Sequence, residues 1–204
     1  MITIHSLAYS RAIRLVWLME DLGQDYELVQ YDRTENFRAP ASLAKVHPLG
    51  KSPVILDEDI MLAESATCLR YLADKFGDKT HRPQEGSASY LRHEELLDYV
   101  ESSFAEVAMN LLLPRLHGEE PSKEAFDAMQ KHYDYVAEQL PETGFLFGDK
   151  ATLADIQFSY LLANLSNMGL MDSAPRLLAY WQELQNLSGY KAAIAKTGPM
   201  APTL

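Results

Sequence analysis

Residues 2–31 read ITIHSLAYSRAIRLVWLMEDLGQDYELVQY, and the alternation of patterns inside this stretch decides the fold class. Ile2 to His5 is a short β-prone run. Arg11 to Leu22 carries the apolar density of a helix of about three turns and stops at Gly23, a residue suited to the left-handed position after a helix end. Tyr26 to Tyr31 returns to strand character. Two strands joined through a helix pair in parallel with a right-handed crossover, so the chain opens on a βαβ unit.

Working outward, Pro40 to Val46 holds a short helix, and Pro48, Gly50 and Pro53 punctuate the chain beyond it. Val54–Leu56 and Ile60–Ala63 flank the acidic turn Asp57-Glu58-Asp59 and form a hairpin, and Ser65 to Phe76 reads as a helix closed by Gly77. The order β-α-β-α-β-β-α gives an α/β N-terminal domain over residues 1–77. Residues 78–87, DKTHRPQEGS, are polar with Pro and Gly and read as a linker. From 88 to 204 the period is helical throughout, which defines an all-α C-terminal domain. Leu97, Val100, Phe104, Val107 and Leu111 share one helical face, as do Phe126, Met129, Tyr133, Val136 and Leu140. Leu153 to Leu165 is apolar nearly all round, the mark of a central buried helix. A helix from Ser173–Pro175 carries Leu177, Leu178, Trp181 and Leu184, and a short terminal one spans Tyr190 to Ala195.

Composition narrows the function. The 204 residues are 47% apolar and 23% charged, which excludes disorder and low complexity. A formal charge of −11 argues against a nucleic-acid groove or an anionic membrane as the partner, so an anionic ligand needs a local basic site. The N-terminus has no signal-peptide pattern and no apolar run is long enough to span a bilayer, so the expectation is a soluble, cytoplasmic protein. One cysteine, Cys68, excludes a disulfide framework, and six scattered histidines give no metal spacing.

Three local features could carry chemistry. The loop Ser6-Leu7-Ala8-Tyr9-Ser10 sets hydroxyls at a helix N-terminus, where free N–H groups favour an anion; the plain alternative is that Ser10 is an N-cap. In His47-Pro48-Leu49-Gly50-Lys51-Ser52-Pro53-Val54, a cis Ser52-Pro53 bond would turn the Ser52 backbone toward an extended ligand, whereas two loop prolines account for the same letters. Glu64-Ser65 opens a helix, where Ser65 and the free N–H groups suit a carboxylate and Glu64 an ammonium group; ordinary capping is the alternative for Ser65.

In order and spacing these segments resemble the cytosolic glutathione S-transferase superfamily. The resemblance is carried by Tyr9-Ser10-Arg11-Ala12-Ile13-Arg14-Leu15-Val16-Trp17, then Pro48-Leu49-Gly50-Lys51-Ser52-Pro53-Val54, then Leu62-Ala63-Glu64-Ser65-Ala66-Thr67, and finally Phe147-Gly148-Asp149-Lys150-Ala151-Thr152-Leu153-Ala154-Asp155. Phe37-Arg38-Ala39-Pro40 is similar to the bacterial and fungal relatives of the yeast-type enzymes.

The resemblance implies a thioredoxin-like N-terminal domain that binds glutathione as cosubstrate. It also implies a helical domain shaping the pocket of a small hydrophobic electrophile, and a homodimer. It places Ser52 and Pro53 on the cysteinyl part of glutathione, Glu64 and Ser65 on the γ-glutamyl end, and Lys51 and Arg38 near the glycyl carboxylate. Ser10 is the expected thiolate-stabilising residue, with Tyr9 its competitor. The implied activity is conjugation of glutathione to electrophiles, with glutathione peroxidase activity through the same thiolate. The alternatives are a non-enzymatic relative that binds proteins, and a glutathione-dependent isomerase or disulfide reductase.

Magnitudes suit a hydroxyl. A free thiol titrates near pH ~8.5 and each unit of depression takes ~1.36 kcal/mol. A hydrogen bond to a charged group gives ~1.5–3 kcal/mol and a helix end ~0.3–1. Cys68 reads as a core residue, Asp155 as half of a capping box with Thr152, and Arg14 as structural. Tyr99, Met109, Asn110 and Arg115 are candidates for the electrophile pocket.

Overall fold

The structure is a computed structural model and describes residues 1–202. The chain divides into two compact units, one of Met1–Asp78 with Asn186–Pro202 and one of Lys79–Gln185.

The first unit is built on β1 (Ile2–Leu7), α1 (Ile13–Leu22), β2 (Tyr26–Tyr31), α2 (Ala41–Ala44), β3 (Val54–Asp57), β4 (Ile60–Ala63) and α3 (Ser65–Lys75). Its sheet runs β2-β1-β3-β4. β1 and β2 pair in parallel from Ile2↔Tyr26 to Leu7↔Tyr31, and the other two ladders are antiparallel. The sheet is the one expected from the βαβ opening and the hairpin, whose two-residue turn is closed by Asp57↔Ile60. Six successive residues of α1, Arg14 to Met19, are buried on all sides together with Ile13, which makes this helix the centre of the unit.

Helix α1 starts two residues later than expected. Ala12 is its N-cap and the Ser10 side chain caps no helix; instead Ser10 Oγ accepts from Ala12 N–H at 3.3 Å in the turn before it. Gly23 closes the helix in the left-handed region, as expected.

Residues 186–202, grouped from sequence with the helical domain, pack in the first unit. There α9 (Ser188–Thr197) lies on α1. Gly189 makes the approach possible: a Cβ there would stand 2.0 Å from Asp21 Oδ1 and 2.7 Å from Trp17 Cδ1. Tyr190 meets Trp17 edge-on at 5.4 Å, and Lys196 Nζ reaches Glu20 Oε1 at 2.5 Å.

The second unit is helical: α4 (Ala88–Tyr99), a π-helical turn (Val100–Phe104), α5 (Ala105–Leu116), α6 (Lys123–Gln139), α7 (Leu153–Asn167) and α8 (Pro175–Asn186), of which Asn186 falls in the first unit. The π turn inserts extra chain into what sequence periodicity treats as one helix, so the buried face rotates. Beyond it Ala105, Ala108, Leu111 and Leu112 are buried and Val107, expected inside, is only half-buried. Phe126, also expected inside, is exposed. Pro114 lies within the last turn of α5, which ends at Leu116.

In α7, buried over almost its whole circumference, Thr152 and Asp155 form the expected capping box. Asp155 accepts from Thr152 N–H and Oγ1–H at 2.7 Å each, and also from Leu146 N–H at 3.0 Å and Tyr180 OH at 2.5 Å. A carboxylate with four donors is satisfied in full burial, so Asp155 ties the entrance of α7 to α8.

Candidate functional site

Four loop segments of the first unit converge through side chains at the ends of β1, β3 and α3. The β1–α1 loop brings Tyr9 and Ser10, the segment before β3 brings Gly50 to Pro53, the residues before α3 bring Glu64, and residues 33–38 close over the first loop.

Ser10 is buried, at 5% exposure, and its Oγ lies 3.1 Å from Ser52 Oγ. Ser52 Oγ donates to the His5 carbonyl at 3.0 Å and accepts from Leu7 N–H at 3.0 Å, which pins it to β1. The Ser52-Pro53 peptide bond is cis, the arrangement the sequence held open. Sequence reading assigned Ser52 a backbone role and missed its side chain, because Ser10 and Ser52 stand 42 residues apart.

Tyr9 has φ 55°, a left-handed value that costs a non-glycine residue about 1–3 kcal/mol and has to be held by its surroundings. Arg33 does the holding. Its guanidinium donates to Ala8 O at 2.9 Å, Tyr9 O at 3.0 Å and Phe37 O at 3.0 Å, and it lies over the Phe37 ring at 4.5 Å. The Tyr9 ring stacks on Phe37, itself left-handed at φ 58°. Arg33 gave no signal in sequence, being one cation in a polar loop.

Glu64 occupies the N-cap of α3 with φ 67° and its side chain caps nothing, while Ser65 is the first helical residue. The capping alternative for Ser65 therefore fails: its Oγ accepts from Arg14 Nη1 at 2.9 Å. Both residues are buried, Arg14 completely, whereas Glu64 is exposed. A charged residue in the apolar run of α1 was the visible anomaly, and its partner at the mouth of α3 was not. Lys51 and Arg38 are exposed; the Arg38 backbone exchanges hydrogen bonds with Thr34, whose N–H donates to Arg38 O at 2.8 Å. The site thus presents a hydroxyl pair, a helix N-terminus with an acidic cap residue and a hydroxyl, and two exposed cations.

Cys68 is fully buried in α3, and burial pushes its thiol up to about 12, which removes it as a nucleophile near neutral pH. Among the described residues no His, Cys, Asp and Glu cluster is set to hold a metal ion, and no helix is long and apolar enough to cross a membrane. In the second unit the Tyr99 hydroxyl pairs with His132 Nδ1 at 2.6 Å beside an open pocket of about 270 Å³. Arg115 pairs with Glu120, Met109 is half-buried and Asn110 is exposed.

The thioredoxin-like sheet and the helical unit together define a two-domain fold, and comparison with known proteins agrees. Residues 2–74 match the glutathione S-transferase N-terminal domain and residues 110–197 the C-terminal domain. The chain is 31% identical over 186 residues to glutathione S-transferase 1 of Saccharomyces cerevisiae, covering 79% of each, and 29% identical to glutathione S-transferase 3 of Schizosaccharomyces pombe, covering 78% of this chain and 72% of that protein. A solved glutathione S-transferase from Actinobacillus pleuropneumoniae superposes with a TM-score of 0.84 at 29% identity, over 98% of this chain and 94% of that one. The chain belongs to the glutathione S-transferase family and is a glutathione transferase.

Proposed function

We propose that the first unit holds glutathione extended along residues 51–53 and 64–65, that Ser10 stabilises its thiolate, and that the second unit shapes the pocket of a small hydrophobic electrophile. The observation that carries this reading is the buried Ser10 hydroxyl, 3.1 Å from the side chain of the residue preceding Pro53. Tyr9, the competitor, has its ring stacked on Phe37 and its carbonyl held by Arg33, which favours Ser10. Glu64 receives the ammonium group of the γ-glutamyl end and Ser65 its carboxylate, at a helix N-terminus that favours the anion. Lys51 and Arg38 meet the glycyl carboxylate and supply the local positive charge that an acidic protein needs.

The thiol proton leaves to solvent while Ser10 keeps its own hydrogen and donates it to the sulfur. The sulfur lone pair then forms the C–S bond as the leaving group departs with its bonding pair. Toward an organic hydroperoxide the same thiolate attacks the terminal peroxide oxygen and the O–O bond breaks. The alkoxide takes a proton from solvent and departs as the alcohol, which leaves the sulfenic acid of glutathione. A second glutathione thiol attacks that sulfur and the sulfenic hydroxyl leaves as water, giving the disulfide. Exposed Ile60 and Met61 on edge strand β4 support assembly as a homodimer, and the enzyme works in the cytoplasm on metabolite-sized electrophiles.

Retention on immobilised glutathione, followed by turnover of halo-aromatic and hydroperoxide substrates, tests the reading. Ser10→Ala lowers turnover about 10–100-fold near neutral pH while retention persists, since a lost charge-assisted hydrogen bond acts on the thiolate. Loss with Tyr9→Phe in its place moves the role to Tyr9, and absence of both retention and turnover points to a protein-binding relative.

A further inference from the structure

The Ser52 side chain sits where three groups meet: it accepts from Leu7 N–H, donates to His5 O, and lies against Ser10 Oγ. A hydroxyl has one hydrogen and two acceptor lone pairs. With its hydrogen on the His5 carbonyl and one lone pair taken by Leu7 N–H, the remaining lone pair receives the Ser10 hydrogen. Ser10 Oγ in turn accepts from Ala12 N–H at 3.3 Å. In this arrangement, therefore, the single hydrogen of Ser10 is directed at Ser52.

A thiolate is a charged acceptor, and a hydrogen bond to it is roughly twice as strong as one between neutral hydroxyls. When Ser10 turns its hydrogen to sulfur, its oxygen keeps a lone pair facing Ser52 at 3.1 Å. The Ser52 hydrogen has only to swing from His5 O to that lone pair to complete a chain in which Ser52 donates to Ser10 and Ser10 donates to sulfur. Successive hydrogen bonds polarise one another, so the second donor strengthens the first. We propose that Ser52 is a positioning residue for the thiolate, holding Ser10 through its side chain and donating to it when glutathione is bound. Both serines keep their hydrogens, and the thiol proton goes to solvent. This rests on the reading that Ser10 meets the sulfur.

The test is a pH titration of thiolate ultraviolet absorbance in the glutathione-saturated full chain, paired with the pH profile of kcat/KM for a halo-aromatic substrate. Ser52→Ala is expected to raise the bound thiol's pKa by about half to one unit, which lowers kcat/KM about three- to tenfold on the acidic limb, with a smaller change in KM for glutathione. Ser52→Thr, which keeps the hydroxyl, restores the profile. In a Ser10→Ala background, Ser52→Ala adds no further shift. Should Ser52→Ala fail to fold, Ser52→Cys keeps the size with a weaker donor and shifts the pKa part of the way. An unchanged pKa in the Ser52 variants, with Ser10→Ala shifting it, overturns this proposal and leaves Ser10 in place. An unchanged pKa in Ser10→Ala removes the reading beneath it as well.

Discussion

Arg14 Nη1 donates to Ser65 Oγ across 2.9 Å, joining the first turn of α1 to the first residue of α3. Accepting from a cation polarises the Ser65 hydroxyl and makes its hydrogen a better donor to a carboxylate. Arg14 thereby orients the hydroxyl and brings positive charge beneath the proposed γ-glutamyl grip. Arg14→Met keeps the bulk and removes both effects. It is expected to raise KM for glutathione about tenfold with a smaller change in kcat, as the loss of one charge-assisted hydrogen bond requires, read from steady-state kinetics.

Arg33 holds three carbonyls on two loops with one planar fork. Lysine, a point donor on a flexible stem, cannot span them. Arg33→Lys and Arg33→Ala should therefore behave alike, lowering kcat/KM by about tenfold or more through misplacement of Ser10. Hydrogen exchange should rise at residues 8–10 and 34–38 while the core of α1 stays protected. A Lys variant with native kinetics would show that the clamp is dispensable.

The thiol of Cys68, pushed up to about 12 by burial, stays protonated at pH 8. Iodoacetamide is expected to leave it intact in the native protein and to modify it completely in denaturant, as mass spectrometry would show. Rapid native labelling would restore Cys68 as a candidate nucleophile.

Asp57 receives hydrogen bonds from Lys75 at 2.5 Å and Tyr71 OH at 2.5 Å, and these hold its carboxyl below the ordinary value. A depressed pKa means that the unfolded chain binds the proton more tightly. Its stabilising contribution is present above roughly pH 4, where an unfolded Asp ionises, and is lost as pH falls through the native value. Asp57→Asn should flatten the acid limb of a plot of melting temperature against pH, and an unaltered limb would exclude the triad as its source.

Gly189→Val places methyl carbons where the Asp21 carboxylate and Trp17 ring stand, breaking the Trp17 Nε1 to Asp21 hydrogen bond of 2.8 Å. Overpacking of this kind costs about 1–3 kcal/mol, to be read from urea unfolding.

What sequence makes legible here is local. The βαβ opening, the hairpin and the Glu64-Ser65 segment all appear where short-range pattern puts them, because strand and helix periods are written in neighbouring residues. The π turn at Val100–Phe104 escapes, since a single inserted residue leaves a mostly apolar 3,4 spacing intact while rotating what lies beyond it. The links from Arg14 to Ser65, from Ser10 to Ser52 and from Gly189 to Asp21 escape for another reason. They join residues far apart in the chain, and no periodicity encodes which of two distant polar groups will meet. The motifs single out the segments, and the side-chain wiring between them required coordinates.

The seating of α9 on α1 has a consequence for biosynthesis. Trp17 is completely covered, and part of that cover is Tyr190, which leaves the ribosome 173 residues later. A nascent chain can finish the four-stranded sheet and much of the helical unit while this indole and its neighbours still face solvent or a chaperone. The first unit, although its strands and motifs are all translated first, is the one whose surface is sealed after the other has been made.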